Sequence, residues 1–571
     1  MTILQFSDAI LTVDEKRGCV TSLTAGSQKL LEEESALFRF CLRSPDGTTF
    51  TAASTDGRLC AQARKADTIS LSYTDFSFKD ISVTVSLTVT DGALNVRVSA
   101  QNATKSMVEW IDVLPLVLPA LQGEGGPLNG EILYPYNEGA IVDSVQKRQS
   151  SRFPSSEPKY PSMGRYPVFP NMVCSQMMAY LYQNNGYRRA LYFGAHDPRR
   201  GVKAIDFFPS GDGVEMLFRY YCGVGFGEDY EADFPLVLCN LIGGWEAAAG
   251  VYRAWFEKNL PKRLTKISEN KNLPSWYADN PFIVSYPVRG IHDRDVPMNP
   301  NGLYPYTNAL PIIDEIAEKT DARLLVLLMH WEGTAPWAPP YVWPPYGDPH
   351  NFDQYMEALH SRGHMLGVYC SGFGYTINSN LTEYNCAQEY EKNGFEAGMC
   401  ASPSGEIQIS KICTAQRSGY DICPASKVGR SILDDAYMPL LTSKVDYAQI
   451  LDQNHGGGQY FCYSKEHGHP PAPGPWMTEN MQKLLGTWND SAGLTLLGCE
   501  SAAAEPFIGN LLFSDNRFEL CYHFGRPVPL YAYVYHEYVR NFMGNQVNCP
   551  LPSDMDTRAT AWDIPSSSAI A

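Results

Sequence analysis

Two carboxylates close two consecutive apolar runs in the second half of the chain: Gln449-Ile450-Leu451 leads into Asp452, and Leu494 to Cys499 leads into Glu500. If the runs are neighbouring parallel strands, spaced about 4.8 Å apart, their ends can bring the acids to the ~5 Å separation of a retaining glycosidase. Glycosidic cleavage needs such a pair, because the leaving oxygen must take a proton while the anomeric carbon is captured from the opposite face. Asp452 is expected to capture and Glu500 to protonate. Glu500 must then hold its proton beside ionised Asp452, and can act as base toward water once the glycosyl ester has formed. That cycle calls for no metal and no organic cofactor. Ordinary helix-capping or loop carboxylates would give the same spacing.

Other polar groups cluster nearby. The segment from Gln453 to Tyr463 and the following Glu466-His467-Gly468-His469-Pro470-Pro471 offer neutral hydrogen bonds for hydroxyls, with glycines that let backbone come close. His467 and His469 also supply two imidazoles for a metal, although the spacing offers no third protein ligand. A second loop, His330-Trp331-Glu332-Gly333 to Trp337 and on to Trp343, crowds aromatic rings around one carboxylate, which suits either sugar stacking or loop packing. Glu505 is a second acid candidate, but five residues into its loop it reads better as a group that binds substrate or supports one that does. The chain contains neither a phosphate-binding Gly-x-x-x-x-Gly-Lys-Ser/Thr loop, nor a dinucleotide fingerprint after a strand, nor a Gly-x-Ser-x-Gly elbow.

The elements that must position these groups fall into two kinds. Ile81 to Val89 alternates apolar and polar residues, Asp91-Gly92 supplies a tight turn, and Leu94 to Val98 resumes the alternation. Similar pieces recur at 36–42, 110–118, 190–195 and 214–222, predicting an antiparallel β-sandwich. At Ala248, Val251, Tyr252 and Trp255 the period becomes helical, ending near Asn259. Beyond Pro274 come nearly continuous apolar runs at 281–286, 323–329 and 364–369, with helices expected at 310–319 and 352–361 between them. Further runs lie at 445–451, 494–497 and 528–534, with helices expected at 426–442 and 477–489. Six candidate strands fall short of the eight of a (β/α)₈ TIM-type barrel, so either two are hidden in Gly- and Pro-rich loops or the barrel is incomplete at the C-terminus. The expected organisation is a sandwich over 1–265, a barrel catalytic domain over 266–545 and an irregular tail over 546–571.

Composition narrows the partners. The 571 residues carry 45 Lys and Arg against 62 Asp and Glu, a net charge of −17 that repels nucleic acid and anionic lipid. Aromatic residues make up 12%, an abundance that serves sugar stacking and large cores alike. Fifteen cysteines without a Cys-x-x-Cys pair fit reduced thiols, and no leader or long apolar stretch is evident, so a cytoplasmic location is expected. A carbohydrate substrate is the expected partner, with no nucleic acid and no membrane.

Taken together, Asp421-Ile-Cys-Pro-Ala425, the run Val445 to Gln453, His467-Gly-His-Pro-Pro471, Leu497-Gly-Cys-Glu500 and Glu505-Pro506 resemble a group of bacterial glycoside-hydrolase-like barrel proteins carrying a domain of unknown function. Gly243 to Trp255 is similar to that group's domain junction. The group is distantly similar to endo-α-N-acetylgalactosaminidases and other α-retaining barrels. The resemblance implies a mutarotase-like sandwich before a (β/α)₈ barrel, an aspartate nucleophile on the fourth strand (Asp452) and a glutamate acid/base on the fifth (Glu500). It also implies that Trp331, Glu332, His467, His469 and Glu505 line the sugar subsite. Asp446-Tyr-Ala-Gln departs from the Asp-Gly-aliphatic pattern frequent in such barrels. The expected function is a retaining glycoside hydrolase acting on a neutral or amino sugar, with a catalytically silent carbohydrate-binding protein, or a sugar epimerase or lyase, as the competing functions.

Overall fold

The alternating run forms the strand Ile81–Thr90, with Ile81, Val83, Val85 and Leu87 buried and the residues between them half-exposed. It pairs with Ala93–Asn102 across Asp91 and Gly92, both in the left-handed backbone region (φ 51 and 74) that a two-residue hairpin turn requires. The computed structural model describes residues 1–65, 67–77, 80–146, 168–290, 298–516, 525–543 and 569–570. Within them the N-terminal region is antiparallel, in sheets of eleven, seven and five strands. One apolar cluster fills the space between them, including Leu71, Val96, Ile111, Phe193 and Phe218. The edge of the eleven-stranded sheet is Arg526–Pro527, so the chain returns to the sandwich after building most of its second half.

The other face of that sheet packs on helix α1 (Trp245–Lys258), whose buried residues Ala248, Ala249, Tyr252 and Phe256 lie on one stripe. Past it the chain alternates strand and helix: β1 (Phe282–Pro287), α2 (Leu310–Thr320), β2 (Leu324–Met329), α3 (Pro349–Ser361), β3 (Met365–Tyr369), α4 (Lys427–Leu441), β4 (Tyr447–Gln449), α5 (Pro475–Ala492) and β5 (Leu496–Gly498). An antiparallel hairpin, Gly374–Ser379 with Arg417–Asp421, is inserted between β3 and α4. Strands β1 to β5 pair in parallel and in sequence order, with Ala569–Ile570 beside β1. Both faces are apolar: Ile283, Leu325, Leu327, Met365, Tyr369 and Tyr447 join one cluster, whereas Val284, Leu324, Val326, Leu328, Val368 and Ala448 pack against the helices.

The barrel, expected as either complete or incomplete at the C-terminus, stands in part, and one expected strand is corrected. Among the described residues the parallel strands do not close into a complete eight-stranded barrel. They form the six-stranded sheet and a separate parallel pair, β6 (Phe513–Asn516) with β7 (Arg540–Met543). The pair is held to β5 by the hydrogen bond from Leu512 N–H to the Leu497 carbonyl (3.0 Å), and Phe513 and Phe542 enter the inner cluster. The run 528–534, expected as a strand, is instead occupied by helix α6 (Leu530–Tyr535). Val528, Leu530, Ala532 and Val534 alternate as a strand would, whereas Leu530, Tyr531, Val534 and Tyr535 make a helical stripe. Packing decides between them, with Tyr535 lying edge-on to Phe256 of α1 at 4.9 Å.

At the seam of the two regions Glu138 is buried and accepts a hydrogen bond from the Asn516 side chain. Burial pushes its carboxyl up from 4.5 to about 8, so between those values the folded protein keeps a proton that the unfolded chain has released. Stability therefore falls as pH rises through that window. Glu138→Gln should remove this slope. In urea unfolding between about pH 5 and 9 the variant should gain on the wild type toward alkaline pH, by on the order of a few kcal/mol, and differ little at the acidic end. A constant difference across the range would refute the buried proton.

Candidate active site

Strands β4 and β5 run in register, Tyr447 opposite Leu496 and Gln449 opposite Gly498, and the ladder continues with Ile450 N–H to the Gly498 carbonyl at 3.0 Å. Asp452 and Glu500 leave this ladder on the same C-terminal edge, where the loops of a parallel sheet gather their functional groups. A carboxylate oxygen of Asp452, a ring nitrogen of His455 and a carboxylate oxygen of Glu500 all lie within 4.8 Å of one another. Asp452 and His455 are half-buried, and Glu500 is 5% exposed. The His455 Nε2 stands 3.4 Å from Glu500 Oε2, while its Nδ1 is 3.1 Å from the Ser501 hydroxyl. This cluster of two carboxylates and an imidazole can hold a proton between its members, present a nucleophilic oxygen, or ligate a hard cation.

The loop after Asp452 folds tightly because its glycines permit it. Gly456 and Gly457 both have positive φ (69 and 94), and a Cβ on Gly456 would stand 2.3 Å from the Asn171 carbonyl oxygen of the sandwich. Gly456 N–H donates to the Glu500 carbonyl at 3.0 Å, which ties the two loops together directly. Asn454 accepts from Phe373 N–H (2.8 Å) and donates to the Gly458 carbonyl (3.0 Å). After Glu500, Ser501 sits at φ 63 with its N–H given to Asp515, and Ala502 N–H donates to the Asn137 side chain at 3.1 Å. Both acid-bearing loops thus rest on residues of the N-terminal region.

The remaining expected residues fall into different surroundings. Glu332 is buried near the pair: together with Asp452 it adds to the burial that pushes the phenol of Tyr437 and the thiol of Cys370 well above their usual ranges. Its backbone carbonyl, with that of His330, is held by Arg289, whose guanidinium lies over the Tyr346 ring. Trp331 is completely buried, donates its ring N–H to the Tyr369 carbonyl (2.7 Å) and stacks on Phe352, so it supports this loop from beneath. Glu505 is also completely buried. Arg200 holds one of its oxygens at 2.5 Å, and the hydroxyls of Tyr252 and Tyr535 donate to the other at 2.6 and 2.7 Å. That engagement places it in the seam with α1 as an anchor. His467 and His469 lie beside the thiols of Cys423 and Cys462. Sequence reasoning did not single out His455 as a partner of the pair, nor the two thiols. His455 could have been found from its place three residues after Asp452 in a glycine loop.

A family profile described as a domain of unknown function, DUF6259, matches residues 230–545. No curated protein matches the chain. Among solved structures, the α-N-acetylgalactosaminidase NagBb from Bifidobacterium bifidum in its GalNAc complex superimposes with a TM-score of 0.66 at 13% identity, covering 94% of this chain and 84% of that one. Its ligand-free form gives 0.64 at 14% identity, over 94% and 85% of the respective chains. The similarity in shape spans both regions of the chain and is a similarity of fold.

The Glu505 anchor has a measurable consequence. Arg200→Met should destabilise the protein by about 3–5 kcal/mol, because a buried carboxylate loses its charge partner. The double variant Arg200→Met with Glu505→Gln should lose less than the single one, read by equilibrium denaturation. Equal losses would mean that the ion pair does not govern this seam.

Proposed function

The chain belongs to DUF6259, a domain of unknown function, and we propose that this member is a retaining glycoside hydrolase with Asp452 as nucleophile and Glu500 as acid/base. The observation that carries the reading is the approach of the two carboxylates to within 4.8 Å at the ends of adjacent parallel strands. Inverting enzymes space theirs about 6.5–9.5 Å apart to admit a water, whereas retaining enzymes use about 5–5.5 Å. In this reading β6 and β7 complete the barrel-like wall behind the site, and the antiparallel region is the mutarotase-like sandwich of such enzymes.

In the first step Glu500 gives its proton to the glycosidic oxygen as that bond breaks, and Asp452 forms an ester with the anomeric carbon. In the second, Glu500 takes a proton from water, the water oxygen bonds to the anomeric carbon, and the ester to Asp452 breaks. His455, between Glu500 and Ser501, is a positioning residue that orients the Glu500 carboxyl. Of the remaining expected residues, Glu332, which with Asp452 faces Cys370 and Tyr437, is the one assigned to sugar hydroxyls. The fold's likeness to an α-N-acetylgalactosaminidase makes α-linked N-acetylgalactosamine the first of the neutral and amino sugars to try.

Asp452→Asn and Glu500→Gln should each lower the hydrolysis of an α-N-acetylgalactosaminide, or of the best substrate in a nitrophenyl α- and β-glycoside panel, by about a thousandfold or more. The Glu500→Gln loss should shrink as the leaving phenol becomes more acidic, since such a group departs without a proton, while the Asp452→Asn loss should not. Turnover unchanged in both variants removes the proposal. Thermal stabilisation by sugar without product would favour a silent binding protein.

A further inference from the structure

Forty-six residues of chain separate Cys423 from His469, yet the Cys423 sulfur stands 3.5 Å from His469 Nε2. The Cys462 sulfur stands 3.4 Å from His467 Nδ1, and one donor atom from each of the four residues lies within 4.8 Å of every other. Zinc bonds sulfur at about 2.3 Å and nitrogen at about 2.0–2.1 Å, so on a tetrahedral ion a sulfur and a nitrogen are about 3.5 Å apart. Both measured sulfur–nitrogen distances match that edge. We propose that Cys423, Cys462, His467 and His469 form a closed tetrahedral site for a structural zinc ion, independent of the hydrolase reading.

The surroundings are those of a built ligand set. His469 Nδ1 faces the Pro470 carbonyl at 2.8 Å, a contact that needs the proton on Nδ1 and leaves the Nε2 lone pair aimed at the thiols. Metal-bound imidazoles are oriented by this kind of bond to a carbonyl. The ring is further fixed by stacking on Trp476, centroids 3.8 Å apart and planes 10° from parallel. The N–H of Ala401 points at the Cys462 sulfur at 3.5 Å, a contact that favours a thiolate there. Cys423 and Cys462 are buried, which excludes competing water, and the imidazoles are half-buried at the rim from which an ion would enter. Cys400 is also buried, but it does not belong to the group of four whose donor atoms all lie within 4.8 Å of one another.

Such a site would fasten the long loop after β4, which starts at Asp452 and carries three of the ligands, to the segment between the inserted hairpin and α4, which carries Cys423. Binding is balanced as Zn²⁺ plus two thiols and two neutral imidazoles giving the bound ion and two released protons.

The full-length chain, reduced and dialysed against micromolar zinc, should retain one zinc ion by elemental analysis and release two protons per ion taken up. Cobalt(II) in its place should show the intense visible bands of tetrahedral coordination together with thiolate charge transfer. Cys462→Ser and His469→Gln should each lose zinc at least tenfold, while Cys60→Ser, at an exposed thiol, should not. Cys400→Ser should also retain it. Should either ligand variant fail to fold, chelation of the wild type decides: its thermal midpoint should fall and recover when zinc alone is restored. Sub-stoichiometric zinc at saturation, an octahedral cobalt spectrum, a midpoint indifferent to chelation, or ligand variants that keep zinc would each overturn the site. Loss from Cys400→Ser equal to that from Cys462→Ser would overturn the proposed ligand set.

Discussion

Hydrogen bonding between two adjacent parallel strands sets the distance on which the site depends. The ladder from Tyr447–Leu496 to Gln449–Gly498 fixes β4 and β5 one strand spacing apart, and each strand ends within three residues of an acid. No loop needs to search for this geometry, because the strand spacing fixes the separation before any side chain is placed. The loops must only turn the two carboxylates toward one another. The glycines at 456 and 457 and the left-handed Ser501 do this, with Gly456 N–H closing directly on the Glu500 carbonyl.

Those turns are held from outside the sheet. Asn171 and Asn137 of the N-terminal region touch the loop after β4 and the loop after β5 respectively. A little further along the loop after β4, the Tyr463 hydroxyl donates to Glu109, which also binds Arg43. Glu505, five residues beyond Glu500, reaches Arg200 in the sandwich and Tyr252 on α1. These buried ionic contacts exact a desolvation cost that hydrophobic contacts would not, and removing either partner of one leaves a buried charge unpaired. The antiparallel region thus serves as the rigid support on which the acid-bearing loops are cast.

Much of this was legible in the chain. The helix expected over 426–442 is α4, with Ser426 as its cap accepting from Gly429 N–H, because a serine before a helical stripe is a local signal. The apolar runs at β1, β2 and β3 announce themselves, being buried on both faces. The run 528–534 misled because its residues fit two periods, and only contact with α1 selects between them. Strand β6, Phe513-Ser-Asp-Asn516, is short and three-quarters polar, so its pattern conceals it. Trp331 and Glu505 carry no mark in the sequence that distinguishes a buried support from a group open to a sugar. The meeting of Cys423 and Cys462 with the two histidines is longer in range still, since four residues without motif spacing converge only once the inserted hairpin and the loop after β4 have folded over one another.

The central claim is that the carboxylates are close enough for one to attack the sugar directly, with no water between them. Proton NMR of the first product released from an α-glycoside, recorded before mutarotation, tests this most directly. The α-anomer is the outcome the account requires; initial appearance of the β-anomer would mean that water attacks in a single displacement and would contradict it.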